Sequence, residues 1–232
     1  MQHESERLML LSRSGRVSEV SAVSWVGLCS ASGSVRIEQC DVAASARSDS
    51  TNGSTVHCAG VLADALLVNQ TQAGLQRVWA PKAAAAWRLS TARDLSACTL
   101  FSSVSALLGG PGQANYAAAN ACLDSLAQLR SDLGLPAVSI QWGGWAGAGM
   151  AVDSGAVDSM EQQGMGLIMQ ETGLLALHLT VCRSMPVVAM VPLMWPRLVA
   201  SATGSNLPIL LQDLAAQHPD PPIERLTTRA GA

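Results

Sequence analysis

The 232-residue sequence has little charge and very few aromatic side chains: 13% of its residues are charged and 3% aromatic, with one tyrosine and one phenylalanine. A net charge of −3 leaves no basic surface of the kind that grips a phosphate backbone, which excludes nucleic acid as a partner class. The six cysteines (Cys29, Cys40, Cys58, Cys98, Cys122 and Cys182) form no C-x-x-C pair. They read as buried thiols in a reducing compartment rather than a disulfide framework. No second His, Cys or carboxylate stands at ligand spacing from His57, so no metal is expected, and His57 itself reads as a strand histidine packed against backbone. No apolar run reaches membrane length free of Arg or Pro, and "MQHESERLML" has neither the basic start nor the apolar core of a signal peptide. A cytoplasmic location without membrane contact is the expectation. Also missing is a strand turning through G-x-G-x-x-G into a helix; "GGPGQ" and "GGWAGAG" follow the wrong elements and have the wrong spacing.

What is present is apolar material, at 49% of residues, enough for a sizeable core. Short runs at 7–11, 55–61, 97–103 and 136–142 read as buried strands, "SVRIEQC" alternates, and "PVVAMVPL" at 186–193 makes a sixth. Helical stretches lie between the later ones, at 64–90 and at 113–133, where Ala117, Ala121, Leu126 and Leu129 fall near one face. This alternation predicts an α/β fold with a parallel sheet covered on both faces. Residues 43–54 read as a polar loop, and the Pro-containing tail from 204 to 232 as a linker following a domain at 1–203.

The lone Tyr116 is followed four residues later by Asn120, one helical turn away on the same face. Ser103 stands thirteen residues upstream, at the end of the apolar run "CTLFSS". Ligands of open α/β sheets bind outside the carboxyl ends of the strands, so this serine and a tyrosine on the next helix can converge. Lys82 lies further back in "WAPKAAAAWRL". Tyrosine is a poor acid near neutrality; bringing its pKa of about 10 to about 7 takes roughly 4 kcal/mol, which a nearby ammonium can supply. Singly, each residue has an ordinary reading: a chance Y-x-x-x-N, a turn serine, a solvated lysine at a helix start. The set carries more than its members.

The run "VHCAGVLADALL … PKAAAAWRL … TLFSSVSALLGGPGQANYAAANACLDSLAQLR … GLPAVSIQWGGWAGAGMA" resembles the ketoreductase domain of modular polyketide synthases and animal-type fatty acid synthases. These are short-chain dehydrogenase/reductases with a Rossmann-like, doubly wound parallel sheet. The resemblance covers about residues 7 to 200 and includes "LLSRSG", "CDV" and "PLMWPRL". Most short-chain dehydrogenases place the active lysine four residues after the tyrosine. Asn120 stands there and Lys82 upstream, the exchange typical of these ketoreductases. The resemblance implies NADPH-dependent reduction of a β-ketoacyl chain tethered through phosphopantetheine to an acyl carrier protein, with other synthase domains as neighbours. Tyr116 would protonate the keto oxygen, Ser103 hydrogen-bond it, Lys82 lower the tyrosine pKa, and Asn120 orient water in the proton relay. It places Arg13 at the 2′-phosphate, Asp41 and Val42 at the adenine, and Ala59 and Gly60 at the nicotinamide-side ribose. "WGGWAGAGM" and the following helix would form a lid over substrate. Leu62, Ala63 and Asp64 stand where B-type members carry Leu-Asp-Asp, and Leu108 where A-type members carry tryptophan, which leans the stereochemistry to B-type.

The family's first strand and glycine-rich turn should precede "ERLMLLSRSG", where about six residues remain. That strand would sit between the one ending at Leu11 and the one ending near Gly60, so the expectation is a sheet lacking it. Residues 43–54 are also short for a parallel crossover. Two readings stay open: an N-terminally truncated piece of a working reductase, or a non-catalytic structural or docking remnant that no longer binds cofactor.

Overall fold

The structure is a computed structural model that describes residues 7–12, 34–39, 54–90, 95–147, 150–153, 155–181, 185–201 and 209–217. All strand pairs in it are parallel, and they form two sheets. β1 (Arg7–Ser12) pairs with β2 (Ser34–Gln39), while β3 (Ser54–His57), β4 (Ala97–Ser103), β5 (Val138–Trp142) and β6 (Val187–Met190) stand in that order in the second. Among the described residues nothing joins β1 to β3, the junction at which a missing strand was expected. β3 stops at His57, shorter than the run 55–61 suggested, because the chain leaves the sheet at "CAGV".

β5 explains how both faces of the larger sheet are covered, since all five of its residues are buried. Val138, Ile140 and Trp142 point to one face, where they cluster with Ile168 and with Ala176 of α7 (Gln170–Val181). Ser139 and Gln141 point to the other face, toward α4 (Ala114–Asp132). On that side Cys98 and Leu100 of β4 pack against Leu123, Leu126 and Ala127 of α4, and against Ala86. A polar seam continues the same interface. Asp124 accepts from Ser139 Oγ at 2.6 Å and from Gln141 Nε2 at 2.8 Å, and Ser102 Oγ donates to the Asn120 carbonyl at 3.3 Å. These pairs fix the axial register of α4 on the sheet, which apolar contacts alone leave loose.

The stretch expected as one helix over 64–90 is interrupted. After a 3-10 turn at Leu67–Asn69, α1 (Gln72–Trp79) starts at Thr71, whose side chain accepts the Gly74 N–H at 3.1 Å. A π-helical turn, Ala80–Ala84, separates it from α2 (Ala85–Ser90). Pro81 is the local cause: it has no N–H to donate and its ring crowds the carbonyl four residues back, that of Arg77, so the helix widens by one residue. After β4 comes α3 (Ser105–Leu108), and after β5 come α5 (Met150–Asp153) and α6 (Val157–Gln162). After β6 comes α8 (Trp195–Ser201). The tail read as a linker contains α9 (Ile209–Gln217), whose Leu211 is buried.

Candidate active site

A cavity of about 530 Å³ opens at the carboxyl ends of β3, β4 and β5, and Lys82, Ser103 and Tyr116 all line it. Tyr116 reaches it from the first turn of α4, Ser103 is the last residue of β4, and Lys82 comes from the π-helical turn. Gly60 lines it too, and a Cβ there would lie 3.4 Å from Lys82 Nζ; any side chain would enter the space beside the lysine. Ala59 is exposed just after β3. Arg13, Asp41 and Val42 lie outside the described residues.

Lys82 is 2% exposed, its Nζ donates to the Phe101 carbonyl at 2.9 Å, and it sits 5.4 Å from the centroid of the Tyr116 ring. Burial lowers its pKa to about 8, against the opposing pull of Cys58 and Asp124. Burial pushes Tyr116 up, the Asn120 and Ser103 side chains pull it back, and Asp64 raises it further. The expected depression of Tyr116 by Lys82 is therefore not the net result in this geometry, where the ammonium lies over the ring and bonds to a backbone carbonyl. An elevated pKa keeps the phenol protonated at neutral pH, the state a proton donor needs.

Asn120 is fully buried; its Nδ2 donates to the Tyr116 carbonyl at 2.9 Å, and its Oδ1 has no hydrogen-bond partner among the described residues. A buried unpaired acceptor at that spot is a seat for a polar guest such as water. His57 is buried, with Nε2 3.1 Å from the Lys82 carbonyl, and burial lowers its pKa to about 4. Since its ordinary value is 6.5, the unfolded chain binds the extra proton between those two pH values. The His57 contribution to stability should be constant above about pH 6.5 and fall as pH drops toward 4, by something on the order of 3 kcal/mol. Urea melts at about pH 7 and about pH 4.5 measure this, and His57→Gln should flatten that limb; an unchanged limb would assign it to other groups.

The cavity mouth is built by two stitched loops. Asn115 Nδ2 donates to the Ala63 carbonyl at 2.7 Å, the Ala65 N–H to the Gly112 carbonyl at 2.9 Å, and Gln113 Nε2 to Asp64 at 3.1 Å. Opposite them, Gly143, Gly144 and Trp145 follow β5, and Met160 and Gln163 come from the α6 segment. This is the region expected to cover substrate. Sequence reasoning passed over Asp124 and read Cys58 as a buried thiol, whereas it is exposed and lines the cavity. One signal was available for Asp124, because Tyr116, Asn120 and Asp124 recur every four residues along one face. A second signal was that Lys82 is the only lysine in the chain.

The lining around Lys82, with an ammonium, a hydroxyl pair and a glycine that leaves room beside the lysine, fits the nicotinamide cofactor that the resemblance implies. Among known proteins, the chain is 39% identical over 203 residues to the spectinabilin polyketide synthase system protein NorB of Streptomyces orinoci, covering 81% of this chain and 9% of that protein. It is 37% identical to polyketide synthase GfsA of Streptomyces halstedii, over 90% of this chain and 3% of that protein. The chain thus spans a small fraction of the curated relatives it matches. A solved structure described as "Structure of A-type Ketoreductases from Modular Polyketide Synthase" superposes with a TM-score of 0.81 at 32% identity, covering 91% of this chain and 48% of that one. The first ketoreductase of the tylosin synthase gives 0.75 at 32%, covering 86% and 46%. The KR domain model matches residues 1–147. With its parallel α/β sheet and this cavity, the chain belongs to the KR domain family, the ketoreductases of polyketide synthases.

Proposed function

We propose that the protein carrying this chain reduces a β-ketoacyl thioester, held on an acyl carrier protein, to the β-hydroxyacyl form with NADPH. The observation that carries the reading is the convergence of the sole lysine, the sole tyrosine and the terminal serine of β4 on one cavity. A bound nicotinamide supplies hydride to the keto carbon. Tyr116 donates its phenolic proton to the keto oxygen, and Ser103 donates a hydrogen bond to the same oxygen as charge develops there. The Lys82 ammonium offsets the phenolate that remains. Asn120 Oδ1, buried and unpaired, seats the water through which the tyrosine regains its proton. Ala59 and Gly60 would border the nicotinamide-side ribose, with Arg13 assigned to the 2′-phosphate and Asp41 and Val42 to the adenine.

That no strand pairs β1 with β3 among the described residues supports a second reading, a structural or docking module without cofactor. NADPH titration separates the two. Saturable binding with enhanced cofactor fluorescence, together with NADPH-dependent loss of a β-keto thioester surrogate, supports the reductase. No binding and no turnover in the protein carrying this chain would leave the structural module.

A further inference from the structure

Lys82 is held at both ends. Its Nζ bonds to the Phe101 carbonyl on β4, and its own carbonyl faces the ring of His57, the last residue of β3. β3 and β4 are paired with His57 opposite Leu100, so Phe101 is the next residue along from the partner of His57. Two adjacent positions of one strand pair therefore grip the tip and the backbone of a single residue. That residue lies in the π-helical turn Ala80–Ala84, a rare conformation that occurs mostly as a single turn within α-helices. We propose that His57 is a positioning residue for Lys82: its Nε2–H donates to the Lys82 carbonyl, fixes the π-helical turn and so aims the ammonium at Phe101 and the Tyr116 ring.

The chemistry of the contact supports this. The Lys82 carbonyl offers lone pairs only, so the nitrogen 3.1 Å away must carry a hydrogen to bond to it. His57 is buried and neutral near pH 7, leaving a single N–H, which the contact places on Nε2. A free lysine side chain has many rotamers, and ordering it costs conformational entropy. Anchoring its backbone before its tip is placed reduces what the Phe101 bond alone must hold.

The proposal rests on the reductase reading for the role of Lys82, but it can be tested without turnover. Because Lys82 is the only lysine, the chain labelled with ¹⁵N-lysine gives one Nζ resonance. In the unaltered chain it should titrate near pH 8. His57→Phe keeps a ring and loses the donor; the resonance should move toward that of a solvated lysine, with its titration shifting up toward the ordinary 10.5. His57→Gln, whose amide N–H can reach the same carbonyl, should restore most of the original signal and titration. A folded His57→Phe chain with an unchanged Nζ resonance and titration overturns the proposal. The unaltered chain gives an independent reading through its long-range ¹H–¹⁵N ring correlations, with His57→Gln assigning the peak. The Nε2–H tautomer supports the contact, and the Nδ1–H tautomer overturns it even if His57→Phe does not fold. A chain that shows these shifts but never reduces ketone keeps the positioning and loses the reductase reading. A chain that reduces ketone with Nζ indifferent to His57 does the reverse.

Discussion

Tyr116→Phe should lower reduction of a β-keto thioester by about 10²- to 10⁴-fold, the usual worth of a positioned proton donor. The fall belongs in kcat, because the phenol donates only as the carbonyl accepts hydride. Cofactor affinity should change little. The substitution leaves most of the surroundings in place: Asn120 Nδ2 still bonds to the backbone carbonyl of residue 116, and the Asn115 bond to Ala63 does not involve the tyrosine. Phe also keeps the ring on which the ammonium rests. The measurement is steady-state kinetics on the protein that carries this chain, with cofactor binding followed separately by fluorescence. Full activity in the Phe variant would remove Tyr116 from the chemistry. Lost activity together with lost cofactor binding would mean that the hydroxyl serves to hold the cofactor rather than to donate the proton.

Which parts of this site could be read from sequence depends on how local their causes are. β4 matches its apolar run at 97–103 residue for residue, and α4 at Ala114–Asp132 lies within one residue of the stretch 113–133, because strand burial and helical periodicity are written in neighbouring residues. The convergence of Ser103 and Tyr116 followed from the general placement of ligands at strand ends. Asp124 was passed over because a carboxylate on a helix looks like a solvated residue until Ser139 and Gln141, fifteen and seventeen residues later, are brought beneath it. The π-helical turn was equally hidden. Pro81 marks the widening locally, but the Phe101 carbonyl that holds Lys82 inward lies nineteen residues later in the sequence. The apolar "ILLQDLAAQ" in the tail was outweighed by the prolines around it, yet it forms α9 and buries Leu211.

The segment over the cavity is anchored at Gly164, and Gly164→Ala should cost roughly 4 kcal/mol of stability. Two costs add there. Gly164 has φ +81°, a left-handed conformation that disfavours any side chain by about 1–2 kcal/mol. A Cβ built on it would also lie 2.4 Å from the Leu198 nitrogen and 2.7 Å from its Cα, inside backbone contact distance. α8 cannot yield by rotating a side chain, since the obstacle is its own backbone. Gly134 supplies the control: φ is +71°, and nothing lies within 4 Å of its added Cβ. Gly134→Ala should therefore show the conformational cost alone, about 1–2 kcal/mol. The difference between the two urea midpoints isolates the clash, and equal losses would refute the close approach of residue 164 to α8. The same substitution should reach the cavity. Gly164 joins Gln163 to Met165, both of which line it, and its carbonyl accepts the Met194 N–H at 2.8 Å. Displacing it shifts the wall formed by α6 while Lys82, Ser103 and Tyr116 stay on the π-helical turn, β4 and α4 respectively. A raised KM with a largely preserved kcat is the kinetic pattern expected of that wall moving alone.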